Sequence, residues 1–332
     1  MAYLLSAAGR RDDQREGVGC VSTKGQYLKK LKRDVFRDWQ MYLFLLIPLA
    51  YIIIFAYVPM AGVQIAFKKY SARAGIWGSA WVGMKNFTKF FESYQFERVL
   101  KNTLSLSVYS IVATFPLPII FALMMNSINN ERFKRVAQTI VTMPHFISIV
   151  VLVGMMFQIF NARTGLYGSL VLQLTGAFPE DLFAKEESFQ QFYVWSGAWQ
   201  GFGWGAIVYI AALSSVSPSL HEAAQIDGAS RFQRVLHIDL PSIIPTMTIM
   251  FILRMGSVMS IGFEKVYLMQ NNLNLAVSEV ISTYVYKVGF GAGGVTDFSY
   301  STAIGLFNSL INMILIVSVN AIAGRVGETS LW

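Results

Sequence analysis

Cysteine occurs once, at Cys20, which excludes an internal disulfide and a cysteine-held metal cluster. Histidine is nearly as scarce. His145, His221 and His237 are dispersed and form no H-E-x-x-H pair, so a metal site made by this chain alone is not expected. Charge is also thin. Charged residues make up 14% of the 332 residues, against roughly 25% in a soluble domain. No G-x-x-x-x-G-K-[ST] phosphate loop is present, so nucleotide hydrolysis is not expected here. Neither G-x-S-x-G nor any zinc-binding or aromatic-rich basic nucleic-acid motif appears. No cleavable leader is expected, because residues 1–40 are polar and the first apolar run, from Met41, is long enough to span a bilayer.

What the chain has instead is apolar length. Hydrophobic residues reach 54% and the mean hydropathy is +0.48. Six segments of roughly 20 or more mainly apolar residues read as membrane-spanning helices. They are 41–63, 102–126, 138–160, 193–214, 243–262 and 299–323. Helices are required because hydrocarbon offers no partner to a bare backbone group. The expected fold is therefore an all-α membrane protein of six transmembrane helices with a helix–turn–helix loop. A tail at 1–40 precedes the spanning domain 41–323, and a tail at 324–332 follows it.

The net charge of +8 suits an anionic membrane surface. Six spans place both termini on one side. With that side cytoplasmic, 15 Lys and Arg fall inside, 11 outside and Arg254 within a span. This bias favours cytoplasmic termini and a cytoplasmic 215–242, with 64–101 and 263–298 outside. The segment 64–101 runs against the bias, with Lys68, Lys69, Arg73, Lys85, Lys89, Arg98 and Lys101. It reads as a solvated loop or as a surface for an anionic solute or acidic partner.

Within the spans, Pro48, Pro59, Pro116, Pro118, Pro144 and Pro245 predict kinks, especially at the close pair Pro116 and Pro118. Gly197, Gly201 and Gly205 recur every four residues, with Gly203 between, which predicts a flat face for close helix packing. Trp195, Trp199 and Trp204 read as interfacial anchors or packing residues. Arg254 lies near the middle of the fifth apolar run. A guanidinium at that depth costs about 3 kcal/mol and is either structurally paired or part of a solute path. Asn308 and Asn312, one helical turn apart, are candidates for the same path or for interhelical hydrogen bonds.

The most informative stretch is 217–241, SPSLHEAAQIDGASRFQRVLHIDLP. Ser217 suits an N-cap and Pro218 the first helical position. Gly228 suits a left-handed helix end, and Ser230 with Gln233 makes a capping box for a second helix. Pro241 predicts the end of that helix. Its apolar stripe, Phe232, Val235 and Leu236, is interrupted by Asp239. Such a unit at a membrane surface suits docking into a partner's groove, and equally an interfacial loop without a partner.

The residues Glu222-Ala223-Ala224, Asp227-Gly228-Ala229, Ile238 and Leu240-Pro241 match, position by position, the EAA signature of type I ABC importer permeases, which this chain resembles. Trp81-Val82-Gly83, Asn86-Phe87 and Asn102-Thr103-Leu104 are similar to carbohydrate (maltose-type) importer permeases before their second span. Gly262-Phe263-Glu264-Lys265, Ser282-Thr283-Tyr284-Val285-Tyr286 and Ser330-Leu331-Trp332 resemble the lipoprotein-associated, complex-polysaccharide branch, which includes alginate importers. The resemblance covers about residues 40–332.

It implies a permease that moves an oligosaccharide by alternating access, with acidic, alginate-derived cargo within the expectation. No residue specifies alginate. It implies two separate ATPase subunits that carry ATP and Mg, a second and non-identical permease, and an extracellular or periplasmic solute-binding protein. It implies no cofactor in this chain, no nucleic acid, and a bacterial inner-membrane location. Glu222, Ala223, Ala224, Asp227, Gly228, Ala229, Leu240 and Pro241 would form the contact with the ATPase. The rival readings are a secondary transporter or channel without an ATPase, which leaves the loop unexplained, and an intramembrane hydrolase, which lacks its motif.

Overall fold

The computed structural model describes residue 37 and residues 39–291, 296–327 and 330–331. Most of the expected N-terminal tail, Cys20 included, and Trp332 lie outside the described residues. The chain divides into two compact units, Met1–Gly62 and Val63–Trp332. The first unit contributes a helix from Trp39 whose ladder widens to a π turn at Ile53–Tyr57. Pro59 follows it. A proline lacks the N–H and crowds the preceding turn, and a wider turn relieves that crowding.

In the second unit the described residues are overwhelmingly helical, with one two-residue ribbon, Lys68–Lys69 against Ala80–Trp81. Over all the described residues of both units, four helices are long and apolar enough to cross a membrane: Trp39–Phe67, Tyr94–Asn126, Arg231–Met255 and Phe298–Arg325. Two bent pairs bring the total to six if each counts as one crossing, Glu131–Phe146 with Ile149–Ile159 (94°) and Glu186–Leu213 with Pro218–Ile226 (75°). The third expected span is thus not a straight 138–160. The short 3-10 turn Met143–Phe146 holds Pro144, and Ser148 then starts a new helix by accepting from the Val151 N–H at 3.3 Å. The first half of that pair is amphipathic and starts at Asn130, whose side chain accepts from the N–H groups of Arg132 and Phe133.

Pro116 and Pro118 are less disruptive than their spacing suggests. Pro116 occupies the first position of Pro116–Asn126, where no N–H is needed, and Phe115 keeps helical backbone angles at the join. Gly203 explains a close approach: a Cβ there would sit 2.2 Å from the Val141 carbonyl oxygen. Among the three tryptophans, Trp204 stacks on His145 at 4.5 Å and Trp195 donates to the Tyr109 hydroxyl at 3.0 Å.

The core of this unit has two ends. At one, Leu106, Val153, Phe189, Val266 and Val280 pack together, beside a second group that includes Phe90, Met259, Ile281 and Ile304. At the other, Ile119, Ala206, Tyr209, Leu213 and Ile243 are buried together. Polar clamps hold the first end. Glu279, only 4% exposed, pairs with Arg98 and with Lys287 at 3.0 Å. Asn102 donates to the Ala276 and Glu279 carbonyls at 2.8 and 3.0 Å, and the Thr103 hydroxyl accepts from the Ile281 N–H at 2.9 Å. Asn86 donates to the Ala66 carbonyl at 2.8 Å, and Gly83 turns with φ of +62°. The resemblance motifs around 81–104 therefore act as loop fasteners.

The basic segment 64–101 is partly structural. Lys68 is buried and donates to the Ile76 carbonyl, Lys89 pairs with Asp297 at 2.9 Å, and Arg98 pairs with Glu279.

Candidate functional site: the surface loop and the central cavity

The helix–turn–helix forms as its sequence predicts at the turn and departs from it at both ends. Pro218–Ile226 is a helix with Pro218 in its first turn. Ser217 holds the N-cap position, but its hydroxyl pairs with Ser219 at 2.8 Å and caps nothing. Gly228 takes φ of +79°, and the Ala229 N–H then donates to the Ala224 carbonyl at 2.8 Å. That bond satisfies a carbonyl the helix end would otherwise leave bare. A Cβ on Gly228 would meet nothing within 4 Å, so the glycine is required by its dihedral and not by a clash. Ser230 and Gln233 complete the capping box, with bonds of 2.7 and 3.3 Å.

Pro241 does not end the second helix. A π turn at Val235–Asp239 precedes Leu240–Met255, and Pro241 falls in the first turn of that segment. The irregular turn absorbs the missing N–H, so Arg231–Met255 runs on as one helix into the span. Any displacement of the loop is therefore carried by the same rod that crosses the membrane.

Glu222, Ala223, Asp227, Gly228 and Pro241 are exposed, while Ala224 and Ala229 are half-buried at the turn. Leu240 packs against the Ile119–Ile243 core and anchors the loop. Four large apolar side chains of this segment are exposed: Leu220 53%, Ile226 87%, Phe232 75% and Leu236 46%. Sequence reasoning missed the feature that fixes the two helices to the bundle. Asp239, 2% exposed, accepts from Asn126 at 3.0 Å and faces the His221 Nε2 at 3.2 Å. One carboxylate thus ties the second span, the first loop helix and the second loop helix together. Its signal was a charge inside an apolar stripe.

A cavity of about 390 Å³ opens between the spans. Its wall includes Ser107, Ser110 and Thr114 from Tyr94–Thr114, and Tyr193, Gln200 and Tyr209 from Glu186–Leu213. Met250, Arg254, Ser257, Ser260 and Lys265 close it. The glycine stripe faces this space, since Gly197, Gly201 and Gly205 line it while Gly203 alone packs on a neighbouring backbone. Arg254 is in the last turn of Leu240–Met255, not at mid-helix, because the helix stops at Met255 and 256–262 is irregular. Asn308 and Asn312 are not in the wall. Asn312 donates to Ser260 at 2.8 Å and accepts from the Met259 N–H at 2.9 Å, so it fastens that irregular segment. The Asn308 side-chain oxygen is buried without a partner.

Residues 114–328 match the family described as binding-protein-dependent transport system inner membrane component, and the chain belongs to that family. It is thus a permease, a multi-pass membrane subunit of a binding-protein-dependent importer. It is 42% identical over 320 residues to Protein LplB of Bacillus subtilis (strain 168), covering 96% of this chain and 98% of that one. It is 37% identical over 319 residues to the polygalacturonan/rhamnogalacturonan transport system permease protein YteP of the same organism, at 96% and 98% coverage. Among solved structures it is similar to a chain of a bacterial ABC transporter involved in the import of the acidic polysaccharide alginate. That match has a TM-score of 0.81 and 34% identity, covering 90% of this chain and 99% of that chain. A second match is to a bacterial alginate ABC transporter in complex with an alginate pentasaccharide-bound periplasmic protein, with a TM-score of 0.82 and 35% identity. It covers 91% of this chain and 100% of that one.

Proposed function

We propose that this permease moves an oligosaccharide inward by alternating access, that acidic fragments are among its cargo, and that ATP hydrolysis in separate subunits drives it through the loop 217–241. The observation that carries the coupling is an exposed helix–turn–helix, closed at its turn by Gly228 and the Ser230–Gln233 capping box, whose second helix is continuous with a span. Its exposed Leu220, Ile226, Phe232 and Leu236 suit the cleft of an ATPase, and Glu222 and Asp227 supply charge at the rim of that contact. Two ATPases, a second and non-identical permease and a delivering solute-binding protein complete the assembly. The loop and both termini face the cytoplasm, and the Glu279 clamp faces outward. A carrier without an ATPase would leave this apolar loop surface without a role. The acidic cargo is supported by the relatives, whose names and descriptions refer to polygalacturonan and alginate.

The test is the complex reconstituted with its ATPase and binding protein, assayed for solute-stimulated hydrolysis and for co-purification of the subunits. Glu222→Lys and Gly228→Pro are expected to abolish stimulation or release the ATPase while the spans still insert. Normal stimulated hydrolysis and uptake in both variants would refute the coupling role.

A further inference from the structure

The charges in the cavity wall are all of one sign. Arg254 and Lys265 line it, and no aspartate or glutamate does. Lys265 is only 6% exposed, and its ammonium has no carboxylate partner among the described residues. It donates to the Tyr193 backbone carbonyl at 2.8 Å and lies 4.9 Å from the centre of the Tyr193 ring. Gly197 makes the room, since a Cβ there would come within 3.1 Å of the ammonium nitrogen. Arg254 and Tyr193 line the same cavity, so both cations border one space. Lys265 is the buried one of the two, while Arg254 is exposed, and a buried cation persists only where something compensates it. Here the protein supplies a carbonyl, a ring face and, at Arg254, a helix C-terminus, but no anion.

The same wall carries hydroxyls. Ser107, Ser110 and Thr114 share one face of Tyr94–Thr114 at spacings of three and four. The Ser110 hydroxyl is buried and has no hydrogen-bond partner. The volume is within the range of small-ligand sites, about 300–1,000 Å³.

We propose that Arg254 and Lys265 form a subsite that binds the carboxylate of an acidic sugar inside this cavity, with Ser110 offered to a neighbouring hydroxyl. The proposal rests on the reading of the chain as an oligosaccharide permease and adds where the acid group is recognised. The guanidinium fork matches a carboxylate in two-point geometry, and the lysine acts as a second point charge. A neutral sugar leaves both cations uncompensated, so selectivity arises within the membrane subunit as well as at delivery.

The experiment uses the complete reconstituted importer in proteoliposomes. The probes are oligosaccharide mixtures from alginate and from polygalacturonate, each supplied beside the same mixture with its carboxylates reduced to alcohols. The readout is the ratio of acidic to carboxyl-reduced uptake. Arg254→Gln and Lys265→Gln are each expected to lower that ratio about tenfold, the effect of losing one charge-assisted hydrogen bond. Arg254→Lys, which keeps the charge and loses the fork, is expected to retain part of it and guards against a folding failure of the glutamine variant. An equal loss of both uptakes would mean a structural role and overturn the proposal, as would an unchanged ratio. Wild-type uptake of the reduced sugars without the acidic ones would overturn the subsite and leave the sugar-permease reading standing. Uptake of none of them would remove that reading, and the subsite with it.

Discussion

Gly228 offers the most sharply quantified perturbation. Its φ of +79° is a region that costs an L-residue about 1–2 kcal/mol. Space is not the constraint, because a Cβ would meet nothing within 4 Å. Gly228→Ala therefore adds only the dihedral cost, and Gly228→Asn adds less of it, because a short polar side chain tolerates this conformation. The reporter is the bond this turn creates, from the Ala229 N–H to the Ala224 carbonyl at 2.8 Å. A cost of 1–2 kcal/mol raises the open population about 5–30-fold. The Ala229 amide should exchange faster by that factor in Gly228→Ala, with Gly228→Asn between it and wild type. Solute-stimulated ATPase activity should fall in the same order. Unchanged exchange at Ala229 in Gly228→Ala would refute the dihedral argument. An asparagine variant worse than the alanine variant would show that the ATPase needs the empty space at this position.

Three other perturbations separate packing from function. Gly203→Ala drives a methyl into the Val141 backbone and should cut the yield of folded complex. Gly201→Ala meets nothing within 4 Å and should leave yield intact while lowering uptake, because its methyl enters the cavity. Equal yields of the two variants would contradict the packing assignment. Asp239→Ala strands the Asn126 amide and releases His221, and should cost about 1–3 kcal/mol, read as a lower thermal midpoint of the purified complex. An unchanged midpoint would mean the three-way tie carries no stability. Burial pushes the Lys265 ammonium from 10.5 down to about 8, a bias against the charged form on the order of 3 kcal/mol. The native state sheds this proton before the unfolded chain does, so the penalty is complete below pH 8 and is lifted as pH rises toward 10.5. Lys265→Met should therefore be more thermostable than wild type at pH 7, with the gap closing by pH 10. A gap independent of pH would refute it.

Signals confined to a few neighbouring residues were the legible ones. The turn at Gly228 and the capping box at Ser230 and Gln233 depend on chemistry within four residues, and the structure has both. The six expected spans agree in number when each bent pair counts as one crossing, and they were blurred in shape. An apolar run reports that a segment can sit in lipid but not how far its axis turns, so Pro144 predicted a kink but not a 94° break with a new helix started at Ser148. At Pro241 the error had the opposite sign. A proline stops a regular helix, but the π turn at Val235–Asp239 lets the helix pass, and apolar periodicity does not register so short a change of pitch.

The same limit misplaced Arg254, and its correction changes the physics of the cavity. Read from the run 243–262, the guanidinium sat in mid-span and was either structurally paired or part of a solute path. The helix ends at Met255, and the irregular residues after it are held by Asn312 bonds to Met259 and Ser260. Arg254 is then a cation at a helix C-terminus, where exposed carbonyls favour positive charge by a few tenths to about 1 kcal/mol. That fraction lowers the cost of keeping a guanidinium on the cavity wall without a fixed carboxylate. Lys265 reaches the same wall from the following short helix, Phe263–Met269, a contact with Tyr193 across 72 positions of sequence. A permanent acidic partner at either position would neutralise the site and hold it closed to an anion. A carbonyl and a ring face steady Lys265, and a helix C-terminus steadies Arg254, more weakly than a carboxylate would, and weak compensation is what a pathway requires, since a cargo group must displace it on arrival and release it on departure.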